Sequence, residues 1–431
     1  MSTIKKLKCM KCKIEKSKIS GEVNCPANKS YTHRAIFLSA LSDGKSIIKK
    51  ALYSNDTKAT INACRAFGVQ VDESDDTITI ENTIGSTVDG SMINAENSGT
   101  TIRIASAIAA LSGGNTELTG DDSLKKRPMR PFLESLEELG VSTESDEGKP
   151  PITIKGKIKG DYVRIKGDIS SQFISALLII APRLKNGLTI EIEGQVVSKP
   201  YIDLTITTMK KFGVDVKIVE QYKKYSIQHQ IYKPTTFTIP SDFSNLALLL
   251  AANVLLGDNL KISISLGELP QGDEKIVDVL EQLGVSVILD GDIITTKSPE
   301  LLDGGKFDLS NTPDLLPAIA ILVLKCKDQI EIYNVKHARF KETDRIAIIC
   351  NELKKIGIVV SEKDDGMILK KGDLKKGVEL NSHNDHRLFM AFSIVAMLIG
   401  DCIVTDPDSA SVSYPNFVSD IQNCGGRLSI V

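Results

Sequence analysis

A helix ending that recurs six times along this 431-residue chain constrains the fold more than any other feature. Each ending is an amphipathic turn, a glycine and a β-rich segment, which is typical of a helix that stops at a left-handed C′ glycine. The glycines are Gly68, Gly140, Gly213, Gly284, Gly357 and Gly425, with steps of 72, 73, 71, 73 and 68 residues between them. Such near-equal intervals predict six copies of one unit of about 70 residues.

The beginnings of the units are also in register, 40 to 43 residues before each glycine. They read Asn28-Lys29-Ser30, Asn97-Ser98-Gly99-Thr100, Ser170-Ser171-Gln172, Ser241-Asp242-Phe243-Ser244, Asn311-Thr312-Pro313-Asp314 and Asn384-Asp385-His386-Arg387. A helix that is apolar on nearly all sides follows each beginning, as in 173–181 and 315–324. Such helices must be surrounded by protein, so we predict an α/β fold with these helices inside. Six units at this length suggest two domains of three, with a boundary near residues 235–242.

Composition and charge argue against several classes of protein. The net charge is −2 and no basic block occurs, so we expect no nucleic-acid partner. The apolar runs at 246–256 and 388–398 are too short to cross a bilayer, and no secretory signal opens the chain. We therefore expect a cytoplasmic protein with no membrane partner. Among eight cysteines only Cys9 and Cys12 have zinc-type spacing, and no second pair follows, so we predict reduced thiols and no metal.

Cations stand where helix beginnings disfavour them. Ser, Asn and Asp at these positions are ordinary N-caps, and we interpret Ser241, Asp242 and Ser244 in that way. Lys29, Arg34, Arg103 and Arg387, however, place positive charge in first turns, at a cost of about 0.3–1 kcal/mol each that a bound anion would reverse. Further cations lie in the loops 125–128, 198–201 and 341–345, at equivalent places in the repeat. The pattern predicts a site for a small, strongly anionic ligand.

Two carboxylates stand out against this cationic background. Asp314 opens the fifth unit, and Glu342 lies in the loop Lys341-Glu342-Thr343-Asp344-Arg345. Asp314 is interpreted equally well as a helix cap and Glu342 as a salt-bridge partner. Both are also the natural acid or base candidates of a site without a metal cluster. The sequence leaves these alternatives open.

The motifs together resemble a known family. The segments 28–35, 97–103, 126–129, 170–173, 198–201, 341–345 and 384–387 are similar, in order and over essentially the whole chain, to those of the EPSP synthase family of 3-phosphoshikimate 1-carboxyvinyltransferases. The resemblance implies an inside-out α/β fold of two domains, each built of three βαβαββ repeats. It also implies that one domain is discontinuous, with residues 1–20 plus 240–431 holding repeats four to six and residues 21–239 holding repeats one to three.

The resemblance further implies the reaction and the roles of residues. The enolpyruvyl group of phosphoenolpyruvate is expected to move to the 5-hydroxyl of shikimate 3-phosphate by addition and elimination of phosphate, without a cofactor. Residues expected at shikimate 3-phosphate are Ser30, Arg34, Ser170, Ser171, Gln172, Ser198, Tyr201, Asp314, His337 and Lys341. Residues expected at phosphoenolpyruvate are Lys29, Gly99, Arg127, Gln172, Arg345, His386 and Arg387. Asp314, Glu342 and Lys29 are the expected catalytic groups, and which of the last two protonates the methylene stays open.

Departures and alternatives accompany the resemblance. Val412 stands where many relatives carry a lysine, so either a neighbouring cation replaces that charge or closure depends on fewer charges. His337 stands where some relatives have asparagine, which predicts a pH-dependent contact with the substrate phosphate. The first alternative is the sister transferase acting on UDP-N-acetylglucosamine, but Lys29-Ser30 and the cysteine-free loop 121–127 argue against it. The second, a repeat scaffold without activity, would not need these arginines beside two acids. We expect a monomer.

Overall fold

The computed structural model describes residues 10–81, 91–257 and 259–431, so Cys9 of the predicted cysteine pair lies outside the described residues. Within these ranges the strands β1 to β24, in chain order, are Lys11–Glu15, Ser20–Asn24, Lys45–Lys49, Gln70–Ser74, Thr77–Glu81, Ser91–Asn94, Asn115–Thr119, Ser142–Asp146, Lys149–Lys155, Tyr162–Lys166, Leu188–Glu193, Lys217–Glu220, Lys224–Ile227, Thr236–Thr238, Asn259–Ser263, Ser286–Asp290, Ile293–Lys297, Gly305–Asp308, Ile330–Tyr333, Val359–Lys363, Gly366–Lys370, Glu379–Leu380, Cys402–Thr405 and Arg427–Ile430. The helices α1 to α12 are Lys29–Ala40, Asn55–Ala66, Gly99–Ser112, Arg130–Glu138, Ser171–Ile180, Pro200–Lys211, Phe243–Leu256, Ile276–Gln282, Leu316–Ile321, Arg345–Lys355, His386–Ile399 and Phe417–Asn423.

The units are βαβαββ repeats, which confirms the predicted fold class. In the second unit, strands β6 and β7 pair in parallel across α3, and the antiparallel hairpin β8–β9 extends the sheet in the order β6-β7-β9-β8. The third and fifth units repeat this order as β10-β11-β13-β12 and β18-β19-β21-β20. The six predicted helix-ending glycines all have positive φ, between 80° and 96°, as a C′ glycine requires.

The other three sheets are completed by strands from distant parts of the chain. Strand β14 pairs with β3 of the first unit, whereas β2 pairs with β15 of the fourth, so these two units exchange their first strands. Strand β1 pairs with β23 and β24 and lies between them in the sixth sheet, whose order is β22-β23-β1-β24. The chain therefore crosses twice between two halves, one that holds units one to three and one that holds units four to six. Because β2 belongs with the fourth unit, the first crossing follows Asn24 rather than residue 20.

The apolar residues form two separate clusters that match this pairing. One cluster contains residues between Cys12 and Cys25 together with residues 246–428, and the other contains residues 31–239 and Leu269. In the first, α7, α9 and α11 pack against one another, and in the second α1 and α5 pack on α3. The first helix of each unit is thus enclosed by protein, as its apolar sequence predicts. Within the described ranges, no helix is long and apolar enough to cross a membrane.

Candidate active site

The first helices of the units begin around one cavity, which residues from both halves of the chain line. At or beside these beginnings lie Asn28, Gly99, Ser170, Asp242, Asp314 and His386. The space between the lining residues, open solvent at the mouth included, is about 1130 Å³. Unpaired N–H groups and the positive ends of helix dipoles meet here, and this arrangement favours anions.

Nearly all the predicted site residues line this cavity. They are Lys29, Ser30, Gly99, Arg127, Ser170, Ser171, Gln172, Ser198, Tyr201, Asp314, His337, Lys341, Glu342, His386 and Arg387. Arg34 and Arg345 do not line it, although both were predicted to contact substrate. The lining also contains Arg103, one of the cations at helix beginnings that predicted an anion site, and Asn28, Asp56, Asp242, Gln271 and Asp273, which were not assigned to a substrate. Acidic side chains are therefore as numerous as lysines and arginines in the lining, so the positions of these charges rather than their sum determine what binds.

Several of the helix beginnings are capped as their sequences predict. Asn28, Ser98, Ser170 and Asp242 accept backbone N–H groups of α1, α3, α5 and α7 through their side chains. Asp242 does more than cap its own helix, since its Oδ2 also accepts the backbone N–H of Lys29 at 3.1 Å. That bond joins the first unit to the fourth at the wall of the cavity.

One end of the cavity carries two buried arginines, on which the charge of Glu342 acts only from beyond 4.0 Å. Arg103 and Arg127 are each 6% exposed, and in the described part of the chain no carboxylate lies within 4.0 Å of either guanidinium. Arg103 hydrogen-bonds to Gln172 and lies 5.1 Å from the centre of the Phe173 ring. Burial, and then the charge of Arg127, lower the pKa of Arg103 to about 9. Two buried, unpaired guanidinium groups are a receptor for a carboxylate or phosphate.

Gly99 leaves room for a ligand at these arginines. A Cβ atom on Gly99 would lie 2.9 Å from Nη1 of Arg103 and 3.0 Å from Nη1 of Arg127. Arg127 is held from behind, because its Nη2 donates to Oδ1 of Asn97 at 2.9 Å and to Oγ of Ser123 at 3.3 Å. A side chain at position 99 would therefore press on fixed guanidinium groups.

Lys29 has a buried partner that the sequence did not reveal. Its Nζ lies 3.0 Å from Oδ2 of Asp56, a residue at the start of α2 that is 4% exposed. Burial raises the pKa of the Asp56 carboxyl, and the Lys29 ammonium partly opposes that shift. The pair fixes the ammonium at the cavity wall, opposite the acids of the second half.

Arg345 is the centre of a buried ion cluster rather than part of the cavity wall. Its side chain is 1% exposed, and its Nε lies 2.8 Å from Oδ2 of Asp385. Its two other nitrogens lie 2.8 Å from Oδ1 of Asp314 and 2.6 Å from Oε2 of Glu342. The prediction that Arg345 contacts a ligand is not met in this geometry, because three carboxylates already surround the guanidinium. Arg345 instead holds both candidate catalytic acids.

Arg34 is similarly turned into the protein. It is 1% exposed, its Nε donates to Oγ1 of Thr205 at 2.7 Å, and its Nη1 donates to the carbonyl of Ser30 at 3.1 Å. Burial lowers the pKa of Arg34 to about 10. The side chain that the sequence suggested as a phosphate ligand here supports the backbone of neighbouring site residues.

Asp314 was interpreted either as a helix cap or as an acid or base of the site, and the structure excludes the first. Asp314 lies in the 3₁₀ turn Pro313–Leu315, which has no side-chain cap, so the capping interpretation is wrong. Its Oδ2 accepts the hydroxyl of Tyr201 at 2.9 Å. Nζ of Lys341 lies 3.6 Å from Oδ1, and Nη2 of Arg387 lies 3.7 Å from Oδ2. Burial alone would raise the pKa of Asp314, but Lys341, Arg387 and Arg345 together hold it well below the usual range. Asp314 is an ionised carboxylate that faces the cavity.

Glu342 is both a salt-bridge partner and a cavity residue. Burial would raise its pKa, but the charges of Arg345, Arg127 and Lys29 hold the pKa well below the usual range. His386 lies beside it, and burial, followed by the Lys29 charge, keeps the pKa of that imidazole well below its usual value. Neither ring nitrogen of His386 has a hydrogen-bond partner among the described residues. A buried, neutral imidazole with free nitrogens is available to a ligand.

The remaining predicted residues add further polar groups to the lining of the cavity. Ser198 has a left-handed backbone, with φ of 54°, and its N–H donates to the carbonyl of Ser310 across the halves at 2.9 Å. Burial, and then the Lys341 charge, lower the pKa of His337 to about 4, so this imidazole is neutral near pH 7 before an anion binds. Ser171 and Gln172 open α5 and present N–H groups and an amide to the cavity.

Two further observations concern the cysteines and Val412. Within the described ranges no group of His, Cys, Asp and Glu could hold a metal ion, and Cys12 is a buried thiol whose pKa burial raises to about 11. Val412 is 7% exposed and lines a second cavity that Glu342 and Lys126 also line. Beside it, Ser123 donates its hydroxyl to the carbonyl of Glu342 at 2.8 Å and so bridges the two halves.

Comparisons with known proteins identify the family of this chain. A family model described as EPSP synthase (3-phosphoshikimate 1-carboxyvinyltransferase) matches residues 14–421. The chain is 55% identical over 419 residues to a 3-phosphoshikimate 1-carboxyvinyltransferase of Nitrosopumilus maritimus, covering 97% of this chain and 99% of that protein. The solved EPSP synthase of Acinetobacter baumannii has a TM-score of 0.79 at 24% identity, covering 98% of this chain and 100% of that one. The enolpyruvyl transferase NikO of Streptomyces tendae reaches the same TM-score at 16% identity, covering 98% and 99%. The family match and the identity to the Nitrosopumilus protein show that this chain belongs to the EPSP synthase family.

Proposed function

We propose that this chain transfers the enolpyruvyl group of phosphoenolpyruvate to the 5-hydroxyl of shikimate 3-phosphate and releases phosphate. The observation that carries the proposal is the pair of buried guanidinium groups of Arg103 and Arg127, neither within 4.0 Å of a carboxylate among the described residues, which share one cavity with the ionised acids Asp314 and Glu342. An anionic three-carbon phosphate fits the arginine end, and a hydroxylated acceptor fits the end with Asp314 and Tyr201.

The substrates would divide the lining between them. Phosphoenolpyruvate would lie at Arg127, Gly99, Lys29, His386 and Arg387. Shikimate 3-phosphate would lie against Ser30, Ser170, Ser171, Gln172, Ser198, Tyr201, His337 and Lys341, all of which line the cavity. Arg34 and Arg345 would act through the residues they hold. Lys126 lines the second cavity together with Val412 and Glu342. We propose that it supplies the charge that a lysine at the position of Val412 supplies in other family members.

The ionisation of the acids supports a division of catalytic roles. Asp314, as a carboxylate, would accept the proton of the 5-hydroxyl while the oxygen of that hydroxyl attacks the central carbon of phosphoenolpyruvate. Glu342 is also ionised, so it has no proton to give, and the Lys29 ammonium is the donor that we propose for the methylene carbon. In the second step Glu342 would remove a proton from the resulting methyl group as the carbon–oxygen bond to phosphate breaks. The bound anions would offset the cations around Glu342 and so raise its basicity.

Two further features belong to this proposal. The strand exchange and the two apolar clusters support a division into domains of residues 1–25 plus 240–431 and residues 26–239. That the chain acts as a monomer stays a prediction. A cytoplasmic location stays a prediction.

Phosphate release tests the proposal. The purified chain should release phosphate only when shikimate 3-phosphate and phosphoenolpyruvate are both present, with enolpyruvylshikimate 3-phosphate detected by mass spectrometry. UDP-N-acetylglucosamine in place of shikimate 3-phosphate is the matched control. Folded protein that releases no phosphate with the first pair, or releases it with the control acceptor, would contradict the assignment.

A further inference from the structure

Asp273 is a buried acid of the cavity to which the proposed mechanism gives no role. It lies in the 3₁₀ turn Gly272–Lys275 of the fourth unit and is 5% exposed. The hydroxyl of Tyr201 lies between two acids, 2.9 Å from Oδ2 of Asp314 and 3.4 Å from Oδ2 of Asp273. Asp273 and Asp314 therefore form a carboxyl pair that shares one phenol.

The charges around this pair are distributed unequally. Asp314 has three cations within 4.0 Å, namely Lys341, Arg345 and Arg387. Among the described residues no cation lies within that distance of Asp273. The charged and titratable groups that face Asp273 are Asp314, Arg387, Asp242 and Tyr201. When two neighbouring carboxyl groups cannot both ionise cheaply, the proton stays on the one without cations, which is Asp273.

The hydrogen bonds of Asp273 leave one oxygen free. Ser244 donates its hydroxyl to Oδ2, whereas Oδ1 is buried and has no partner among the described residues. A bare carboxylate oxygen in that place is costly, but a protonated one presents an O–H donor to the cavity. Burial, and then the Asp314 charge, raise the pKa of Asp273 to about 7, so the proton is lost and regained near neutral pH.

We propose that shikimate 3-phosphate binds only when Asp273 is protonated, so that binding above neutral pH takes up one proton from solvent onto the Asp273 carboxylate. An ionised Asp273 would compete with Asp314 for the Tyr201 hydroxyl and would repel the incoming anion. The protonated group instead leaves Tyr201 to Asp314 and offers its own O–H to the ligand. This inference rests on the proposed function, because it assumes that the anionic acceptor occupies this end of the cavity. Asp273 is then a positioning residue that makes acceptor binding depend on pH.

Calorimetry tests the proposal through the proton itself. Shikimate 3-phosphate is titrated into the full chain, across the pH range around neutrality, in pairs of buffers that differ in ionisation enthalpy. Above a pKa of about 7, the dissociation constant should rise about tenfold per pH unit, and proton uptake should approach about one. Asp273→Asn cannot ionise, so that variant should lose this uptake and bind with little dependence on pH. His337→Asn is the matched control, since it removes the other group that could take up a proton when the phosphate binds.

A second variant gives a shift in the opposite direction. Ser244→Ala removes the donor that favours the ionised form of Asp273, so the midpoint of proton uptake should move to higher pH. Proton uptake by Asp273→Asn equal to that of the unmodified chain, or a midpoint moved to lower pH in Ser244→Ala, would overturn the inference alone. If the unmodified chain neither binds shikimate 3-phosphate below pH 7 nor releases phosphate with both substrates, the proposed function fails and this inference fails with it.

Discussion

Asp385 provides the sharpest stability test, because it both caps helix α11 and belongs to the buried ion cluster around Arg345. It is fully buried, its Oδ1 accepts the N–H groups of Arg387 and Leu388, and both of its oxygens contact the guanidinium of Arg345. Asp385→Asn keeps a capping oxygen but replaces one carboxylate oxygen with an NH₂ group beside the Arg345 donors. Asp385→Ala removes both functions.

The magnitude follows from these two roles. Breaking a buried ion pair costs about 3–5 kcal/mol, and the lower end applies here because Arg345 keeps Asp314 and Glu342. We therefore expect Asp385→Asn to lower the free energy of unfolding by about 3 kcal/mol. Asp385→Ala should lower it by about 1 kcal/mol more, because the cap is lost as well. Loss of the Arg345 position should also reduce kcat by about 10- to 100-fold in both variants.

Urea unfolding followed by circular dichroism measures these changes, since the chain contains no tryptophan. Asp344→Asn is the matched control, because Asp344 also caps a helix, α10, but its partner Arg339 forms a partly exposed ion pair. That variant should cost less than about 1 kcal/mol. If Asp385→Asn destabilises no more than Asp344→Asn, Arg345 does not depend on Asp385 and the ion-cluster argument is wrong.

Three further predictions concern single side chains at the cavity. Asp314→Asn should reduce kcat by about 10²- to 10⁴-fold while shikimate 3-phosphate still binds, measured by phosphate release and calorimetry; near-normal turnover would remove Asp314 as the base. Gly99→Ala should raise KM for phosphoenolpyruvate more than it lowers kcat, because its Cβ would lie 2.9 Å from Nη1 of Arg103; an unchanged KM would mean that the ligand binds elsewhere. Ser123→Ala should raise KM for phosphoenolpyruvate by about two- to tenfold through the loss of one hydrogen bond that aligns Arg127, whereas a variant of the exposed Lys125 should not.

The repeat and the helix caps could be predicted from the sequence because they are local. A C′ glycine after an amphipathic turn fixes the backbone within a few residues, and the six predicted glycines all adopt positive φ. The apolar helices were found for the same reason, although α9 is shorter than its apolar run, which continues as the 3₁₀ turn Leu322–Lys325. The misplaced cations correctly pointed to one cavity, since Lys29, Arg103 and Arg387 all line it.

What the sequence missed depends on contacts between distant residues. The exchange of β2 and β14 joins residues that are 239 and 189 positions apart in the sequence, and no local pattern distinguishes either strand from its neighbours. The resemblance placed Arg345 at phosphoenolpyruvate, yet Asp385 reaches it from the sixth unit, and Asp314 and Glu342 of its own unit also contact its guanidinium. Asp273 follows Gly272 in an ordinary loop sequence, and only the position of Tyr201, from the third unit, makes it a partner of Asp314.

Deuterium incorporation tests the central claim, that Lys29 adds a proton to the methylene carbon and Glu342 removes one. The chain is incubated in D₂O with both substrates, and the product is analysed by mass spectrometry and proton NMR. The account predicts deuterium in the vinyl methylene of the product, because a methyl group forms and then loses a hydrogen. Product formed at a normal rate without deuterium at that carbon would contradict the addition and elimination that these residues are proposed to perform.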